Sequence, residues 1–238
     1  MTIVVLDPGH GGSDPGATGN GLKEKDLTLD IAKRTRDILE KEYSGVTVKM
    51  TRTGDTYPSL SERANYANRL NANLFVSIHI NAGGGTGYED YRFSSLSESS
   101  QTGKHQKTLH EAIYNKIKGY GIQDRGTKSA NLAVLRETAM VAFLTENLFI
   151  DTSADAKLLK QSGFKQAVAQ GHADGIAKIL GLKKKGGGSK SEYYVVKSGD
   201  SLSRIAAAHK TTLSNLLKLN PQITNPDKIY VGQRIRVK

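Results

Sequence analysis

The sequence predicts an α/β fold, a mostly parallel sheet flanked by helices, followed by a small βααβ domain. Three observations carry this expectation. Short apolar runs alternate with stretches of helical period across residues 1–182, the pattern of strands joined by crossover helices. A Lys/Gly/Ser tract then breaks the pattern at residues 183–192, with the composition of a flexible charged linker. Residues 193–238 read as strand, two short helices and strand, a module too small to rest on a large core.

The elements follow in order. Ile3–Leu6 is an apolar strand that runs into the Pro/Gly turn Asp7-Pro8-Gly9-His10-Gly11-Gly12. Lys25–Tyr43 is a helix whose buried stripe is Leu27, Ile31, Ile38 and Leu39. Val46–Met50 is a strand, Leu60–Leu70 a helix, and Leu74–Ile80 a second strongly apolar strand with His79 near its tip. Tyr88–Phe93 is a strand, and Gln101–Lys118 is a helix with Leu109, Ile113 and Ile117 on one face. Two further strands are expected at Leu132–Leu135 and Val141–Thr145, then a helix over Gly163–Leu180. In open α/β sheets, sites form beyond the carboxyl ends of strands. His10, His79 and Glu146 all follow strands in this reading and can converge there.

Charge and missing residues narrow the function. Residues 1–182 carry 22 Lys+Arg against 20 Asp+Glu, whereas residues 183–238 carry 12 against 3. A basic tail suits a nucleic acid, an anionic membrane surface or an anionic polymer such as a cell wall, and equally a plain solvated face. There is no cysteine, so disulfides and thiolate metal sites are excluded. No apolar run of about 18 residues exists, so no membrane insertion is expected. Nor is a secretory leader visible ahead of the strand at Ile3.

His10, Glu24 and His79 are the residue types of a catalytic zinc site, two imidazoles and a carboxylate with one position open. Each also has an ordinary reading. A strand-end His is commonly structural, and an acid in the first helical turn favours the helix dipole. Glu146 follows the apolar run Val141-Ala142-Phe143-Leu144, where desolvation raises a carboxylate's proton affinity. A salt bridge with Arg136 or Arg63 would be the structural alternative. Asn81 could orient a ligand, grip substrate or cap a turn. Arg52, Asp55 and Arg63 read as a structural ion network below the site. His172 lies in register with Phe164, Val168 and Ile179, which makes it a packed core residue. His105 and His110 are five apart and share no helix face. Gly83-Gly84-Gly85-Thr86-Gly87 lacks the Gly-Lys-Ser/Thr ending of a phosphate loop.

Taken in order, Asp7-Pro8-Gly9-His10-Gly11-Gly12, Gly21-Leu22-Lys23-Glu24, Thr51-Arg52-Thr53-Gly54-Asp55, Ser77-Ile78-His79-Ile80-Asn81 and Leu144-Thr145-Glu146-Asn147 resemble zinc-dependent N-acetylmuramoyl-L-alanine amidases. The resemblance implies Zn2+ held by His10, Glu24 and His79, with Glu146 as general base. It implies hydrolysis of the amide between N-acetylmuramic acid and L-alanine in bacterial peptidoglycan. Asn81 and Arg136 are the candidate substrate contacts, Arg136 for a stem-peptide carboxylate.

The tail, from Tyr194-Val195-Val196-Lys197-Ser198-Gly199-Asp200 to Ile229-Tyr230-Val231-Gly232-Gln233-Arg234-Ile235, resembles a LysM domain. That resemblance implies binding of N-acetylglucosamine-containing glycan through Gly199, Asp200, Ser201 and Leu202, with Pro226 and Ile229 across a shallow groove. Such an enzyme is expected to act on the cell wall after release by lysis, a holin or non-classical export. A catalytically inactive wall-binding scaffold is the alternative, opposed by the complete set His10, Glu24, His79 and Glu146. A nucleic-acid partner is not expected, because the tail lacks the interleaved aromatic and basic surface of single-strand binders.

Overall fold

The computed structural model describes residues 1–185 and 192–237, which fall into two compact units, Met1–Lys185 and Gly186–Lys238. In the first unit, strand β1 (Thr2–Pro8) leads to a small hairpin, β2 (Thr18–Gly19) and β3 (Leu22–Lys23), and then to helix α1 (Glu24–Glu42). Next come β4 (Tyr43–Ser44), β5 (Val46–Met50), α2 (Leu60–Arg69), β6 (Leu74–Asn81), β7 (Tyr88–Phe93) and α3 (Gln101–Ile117). The unit ends with β8 (Asp124–Ala130), α4 (Ala133–Arg136), β9 (Val141–Phe149), α5 (Ser153–Leu159), α6 (Ser162–Leu180) and β10 (Lys183–Lys184).

The main sheet has the order β5-β1-β6-β9-β7-β8. β1 pairs in parallel with β5 and β6, and β6 pairs in parallel with β9. β7 runs antiparallel to β9 but parallel to β8, so the far edge is mixed. Strand alternation divides the apolar side chains between two faces. Val4, Leu6, Leu74, Val76, Ile78, Phe143 and Tyr88 pack with Leu27, Ile31, Leu109, Ile113 and Phe164 of α1, α3 and α6. Val5, Phe75, Ala142 and Leu144 pack on the other face with Ala67 of α2 and Val134 and Leu135 of α4. By the same parity His79, Glu146 and Glu89 belong to the α2/α4 face.

Two differences from the sequence reading have local causes. Leu132–Leu135 is not a strand: Leu135 and Arg136 donate to Leu132 O and Glu137 to Ala133 O, closing the turns of α4. Four apolar residues in a row satisfy either period, and burial of Val134 and Leu135 against the sheet decides for the helix. The strand lies earlier, at β8, a polar edge strand without an apolar signal. Lys183 and Lys184, read as linker, pair with Tyr43 and Ser44 through β10 and β4, and Lys184 also covers the Tyr43 ring. The rest of the linker, residues 186–191, lies outside the described residues.

The second unit pairs β11 (Tyr193–Val195) with β12 (Arg234–Arg236) and places α7 (Leu202–Ala208) and α8 (Leu213–Leu219) between them in sequence. Val196, Leu202, Ile205, Leu216, Ile235 and Val237 form its core. Asn220 ends α8, and its side chain bonds Leu216 O, Arg236 O and Arg236 N, tying that helix to β12.

Candidate active site

The chain leaves β1 through Pro8 and Gly9 into a loop fixed by two buried arginines. Arg63, from α2, pairs with Asp7 at 2.8 Å and donates to Pro8 O and His10 O. Arg52 donates to Pro8 O, Gly9 O and Gly54 O. Asp55 stands apart from them, bonded to Lys25 and Gly12 N. The expected ion network is therefore two separate ion pairs, Arg63–Asp7 and Lys25–Asp55, and a set of arginine–carbonyl bonds. Held in this way, His10 adopts a left-handed backbone with φ 60°.

Glu24 is the first residue of α1, and its carboxylate turns inward rather than capping the helix. Oε2 lies 3.1 Å from His10 Nε2 and accepts from Ala17 N, while Oε1 lies 3.0 Å from His79 Nδ1 and accepts from Ile80 N. Burial opposes ionisation of Glu24, but bonds to both imidazoles outweigh it and hold the carboxyl well below the usual range. Burial likewise opposes protonation of His10, and Glu24 and Asp14 outweigh it in the upward direction. Asp14 Oδ2 sits 2.8 Å from His10 Nδ1, the carboxylate–imidazole contact that orients metal-binding histidines.

One donor atom from each of His10, Glu24 and His79 lies within 4.8 Å of the others. Two nitrogens and one oxygen at that spacing can hold a metal ion. The surroundings are closely fitted to them: a Cβ at Gly9 would stand 2.3 Å from His79 Cε1, and one at Gly16 would stand 2.6 Å from Glu24 Oε2. Neither position admits any other residue without moving a donor.

Glu146 lies beside this group because β9 pairs with β6 in the register His79↔Glu146. Its Oε2 is buried without a hydrogen-bond partner. Burial, then the charges of Glu24 and Glu89, push its proton affinity well up. The alternative salt bridges do not form: Arg63 is taken by Asp7, and Arg136 donates to Asn131 and Glu137. A groove opens next to the donors, lined by His10, His79, Tyr57, Leu60, Val134 and Leu144 among others. Arg136 is absent from its lining and faces a different hollow, with Phe93 and Met140. Asn81 caps the following turn through Ala82 N and donates to Glu89 Oε1.

The sequence reading passed over Asp14, Glu89, Arg125 and Lys128, which no local motif marks. It also missed the bonds of His110 to Asp90 and Asp124, on the opposite face of the sheet. His172 is a core residue as expected, bonded to Thr145 Oγ1 and Val168 O. In the second unit Asp200, Ser201, Leu202, Pro226 and Ile229 line one shallow groove. Gly199 is not in its lining and turns the chain just before Asp200 with φ 85°, and Ser201 also caps α7.

A profile described as N-acetylmuramoyl-L-alanine amidase matches residues 4–178, and one described as LysM domain matches residues 194–238. An endolysin of Bacillus phage SPP1 is 57% identical over 188 residues, covering 79% of this chain and 69% of the relative. The sporulation-specific N-acetylmuramoyl-L-alanine amidase of Bacillus subtilis (strain 168) is 50% identical over 199 residues, covering 84% and 75%. Among solved structures, the catalytic domain of the amidase CwlV from Bacillus (Paenibacillus) polymyxa var. colistinus superposes with a TM-score of 0.71 at 34% identity. That match covers 77% of this chain and all of the other. Fold, donor arrangement and these matches lead to one conclusion: the chain belongs to the N-acetylmuramoyl-L-alanine amidase family and is a peptidoglycan hydrolase that carries a LysM domain.

Proposed function

We propose that this amidase works with zinc held by His10 Nε2, Glu24 and His79 Nδ1, and with Glu146 as its general base and acid. The observation that carries the reading is the partnerless Glu146 Oε2, one strand away from three clustered donors. The N₂O donor set leaves a coordination position open, which suits catalytic zinc. When bound there, zinc supplies a Lewis acid that makes water nucleophilic near neutral pH.

The residues of the chain do the rest. Asp14 fixes the His10 ring so that Nε2 faces inward. Glu146 takes a proton from the attacking water, whose oxygen bonds to the muramoyl carbonyl carbon. The carbon–nitrogen bond then breaks, and Glu146 returns the proton to the departing L-alanine nitrogen. A carboxyl whose proton affinity is raised by burial is suited to carry a proton in both directions. The second unit holds glycan in the groove at Asp200, Ser201, Leu202, Pro226 and Ile229. A single module binds modestly, and covalent linkage to the catalytic unit raises the local substrate concentration.

Digestion of purified peptidoglycan with mass spectrometry of the products tests this reading. Stem peptides beginning at free L-alanine, lost on chelation and restored by zinc, are expected. Cleavage that survives complete metal removal would refute the zinc assignment, and intact wall would leave only a wall-binding scaffold.

A further inference from the structure

Further along the same face of the sheet from the metal donors lies a compact charged cluster, whose one part in the chemistry above is the charge of Glu89 acting on Glu146. Glu89 pairs with Glu146 across β7 and β9, so the row runs His79, Glu146, Glu89 over three adjacent strands. Glu89 is only 2% exposed, and both its oxygens are fully engaged. Oε1 accepts from Asn81 Nδ2 at 3.0 Å and Tyr91 Oη at 2.7 Å. Oε2 accepts from Arg125 Nε at 2.5 Å and from Lys128 Nζ.

Resting on the amidase reading, we propose that Arg125 and Lys128 form a subsite for a carboxylate of the stem peptide. One cation would suffice to bury Glu89. Two leave the cluster with a net positive charge, and their side chains remain 29% and 36% exposed. Burial opposes ionisation of Glu89, but Lys128, Tyr91 and Arg125 outweigh it, so its charge and the geometry persist.

The backbone is shaped for this pairing. Residues 125 and 128 would lie on opposite faces of a regular strand. The β7–β8 register slips between Tyr88/Asp124 and Asp90/Thr127, with Gly126 at φ 75°, and this bulge brings both cations to the Glu89 side. Each head is then held in place. Arg125 lies 4.9 Å over the Phe149 ring and donates to Thr86 O, while Lys128 lies 5.9 Å from the Tyr91 ring centroid. The loop beside Arg125 is itself pinned, because Gly83 N and Gly84 N both donate to Asp151.

Reach agrees with the assignment. Two to three strand spacings of about 4.8 Å put the cations about 10–14 Å from His79. An extended peptide spans about 3.3–3.6 Å per residue, so the first three or four stem residues cover that distance. A carboxylate at the end of a tripeptide is within range, and one borne by the second residue, about 7 Å out along the backbone, makes up the remainder with its own side-chain length. Arg136, engaged with Asn131 and Glu137, leaves this role to the β8 pair.

The test uses the full zinc-loaded chain and synthetic N-acetylmuramoyl tripeptides with both carboxylates free or with either one amidated. Amidation at the recognised position should raise the wild-type KM about tenfold, the worth of a charge-assisted contact, with kcat little changed. Arg125→Gln and Lys128→Gln should raise KM for the free acid and no longer distinguish it from that amide. Lys128→Arg should restore the distinction. The position of the sensitive amide identifies the carboxylate. A wild-type KM indifferent to both amides overturns the proposal. So do Gln variants that weaken every substrate by the same factor, which would reduce the pair to support for Glu89. Failure of the wild type to cleave any tripeptide would instead count against the amidase reading.

Discussion

Replacing Glu146 with Gln should lower activity and raise stability together. The change keeps side-chain volume and exchanges an ionisable carboxyl for a neutral amide. Loss of a general base and acid typically costs about 10²–10⁴ in rate. The stability effect follows from the direction of its titration. Burial, Glu24 and Glu89 raise the affinity of the folded protein for this proton above that of the unfolded chain. From the ordinary carboxyl range upward the folded state therefore holds more proton than the unfolded one, and stability falls as pH rises. A buried group left unsatisfied costs about 1–3 kcal/mol, and each kcal/mol moves the melting point of a domain this size by about 2–4 °C. The metal-free Glu146→Gln protein should thus melt about 2–12 °C higher than wild type at pH 8, with the gap closing toward pH 4. Thermal melts of chelated protein across that range, beside turnover of zinc-loaded protein on muramoyl peptides, read both effects. Wild-type turnover at full zinc occupancy would refute the role of Glu146. A melting gap independent of pH would refute its electrostatic origin.

Three further outcomes follow from the same geometry. Asp14→Asn should weaken zinc binding about 10–100-fold, read by competition with a chromophoric chelator, because the carboxylate no longer orients His10. Gly9→Ala places a Cβ 2.3 Å from the His79 ring, so it should release the metal while far-UV circular dichroism stays unchanged. Retained zinc in that variant would mean that the loop yields where the arginine bonds say it cannot. Burial pushes His172 down to about 4, so the unfolded chain binds the extra proton between there and about 6.5, and stability is lost as pH falls through that window. At about 1.4 kcal/mol per pH unit the loss approaches about 3 kcal/mol. Urea melts of His172→Gln from pH 4.5 to 7.5 should lack this limb, and an unchanged slope would assign it elsewhere.

What could be read from sequence depended on where each residue stood. His10 follows one apolar strand, and His79 and Glu146 lie near the carboxyl ends of two others, so their convergence at that end of the sheet was legible from pattern and topology. The placement of Glu24 between the two imidazoles was legible only through the motif around it, since an acid at a helix start has an ordinary reading. Leu132–Leu135 failed because four consecutive apolar residues carry no period. β8 failed for the opposite reason, being an edge strand whose polar residues show no alternation of burial. Glu89, Arg125 and Lys128 were beyond reach of any spacing argument. They meet only because the sheet order places β7 and β8 outside β9, with β7 reversed.

The end of β9 shows how the backbone separates chemistry from core. Along β6, two residues lead from His79 to Asn81, but their partners Glu146 and Phe149 are three apart, so β9 holds one extra residue. Leu148 takes a left-handed φ of 72° there, which costs an L-residue roughly 1–2 kcal/mol. The insertion changes the parity of the strand. Without it Leu148 would follow Glu146 onto the α2/α4 face and crowd the site with an apolar side chain. With it Leu148 turns to the opposite core, where it is fully buried together with Ile150, and that burial offsets the strain. The amide of Asn147 then donates to His79 O where the ladder is interrupted. Glu146 is thereby left as the last site-facing residue before the bulge, beside His79 and free of its neighbours on the strand.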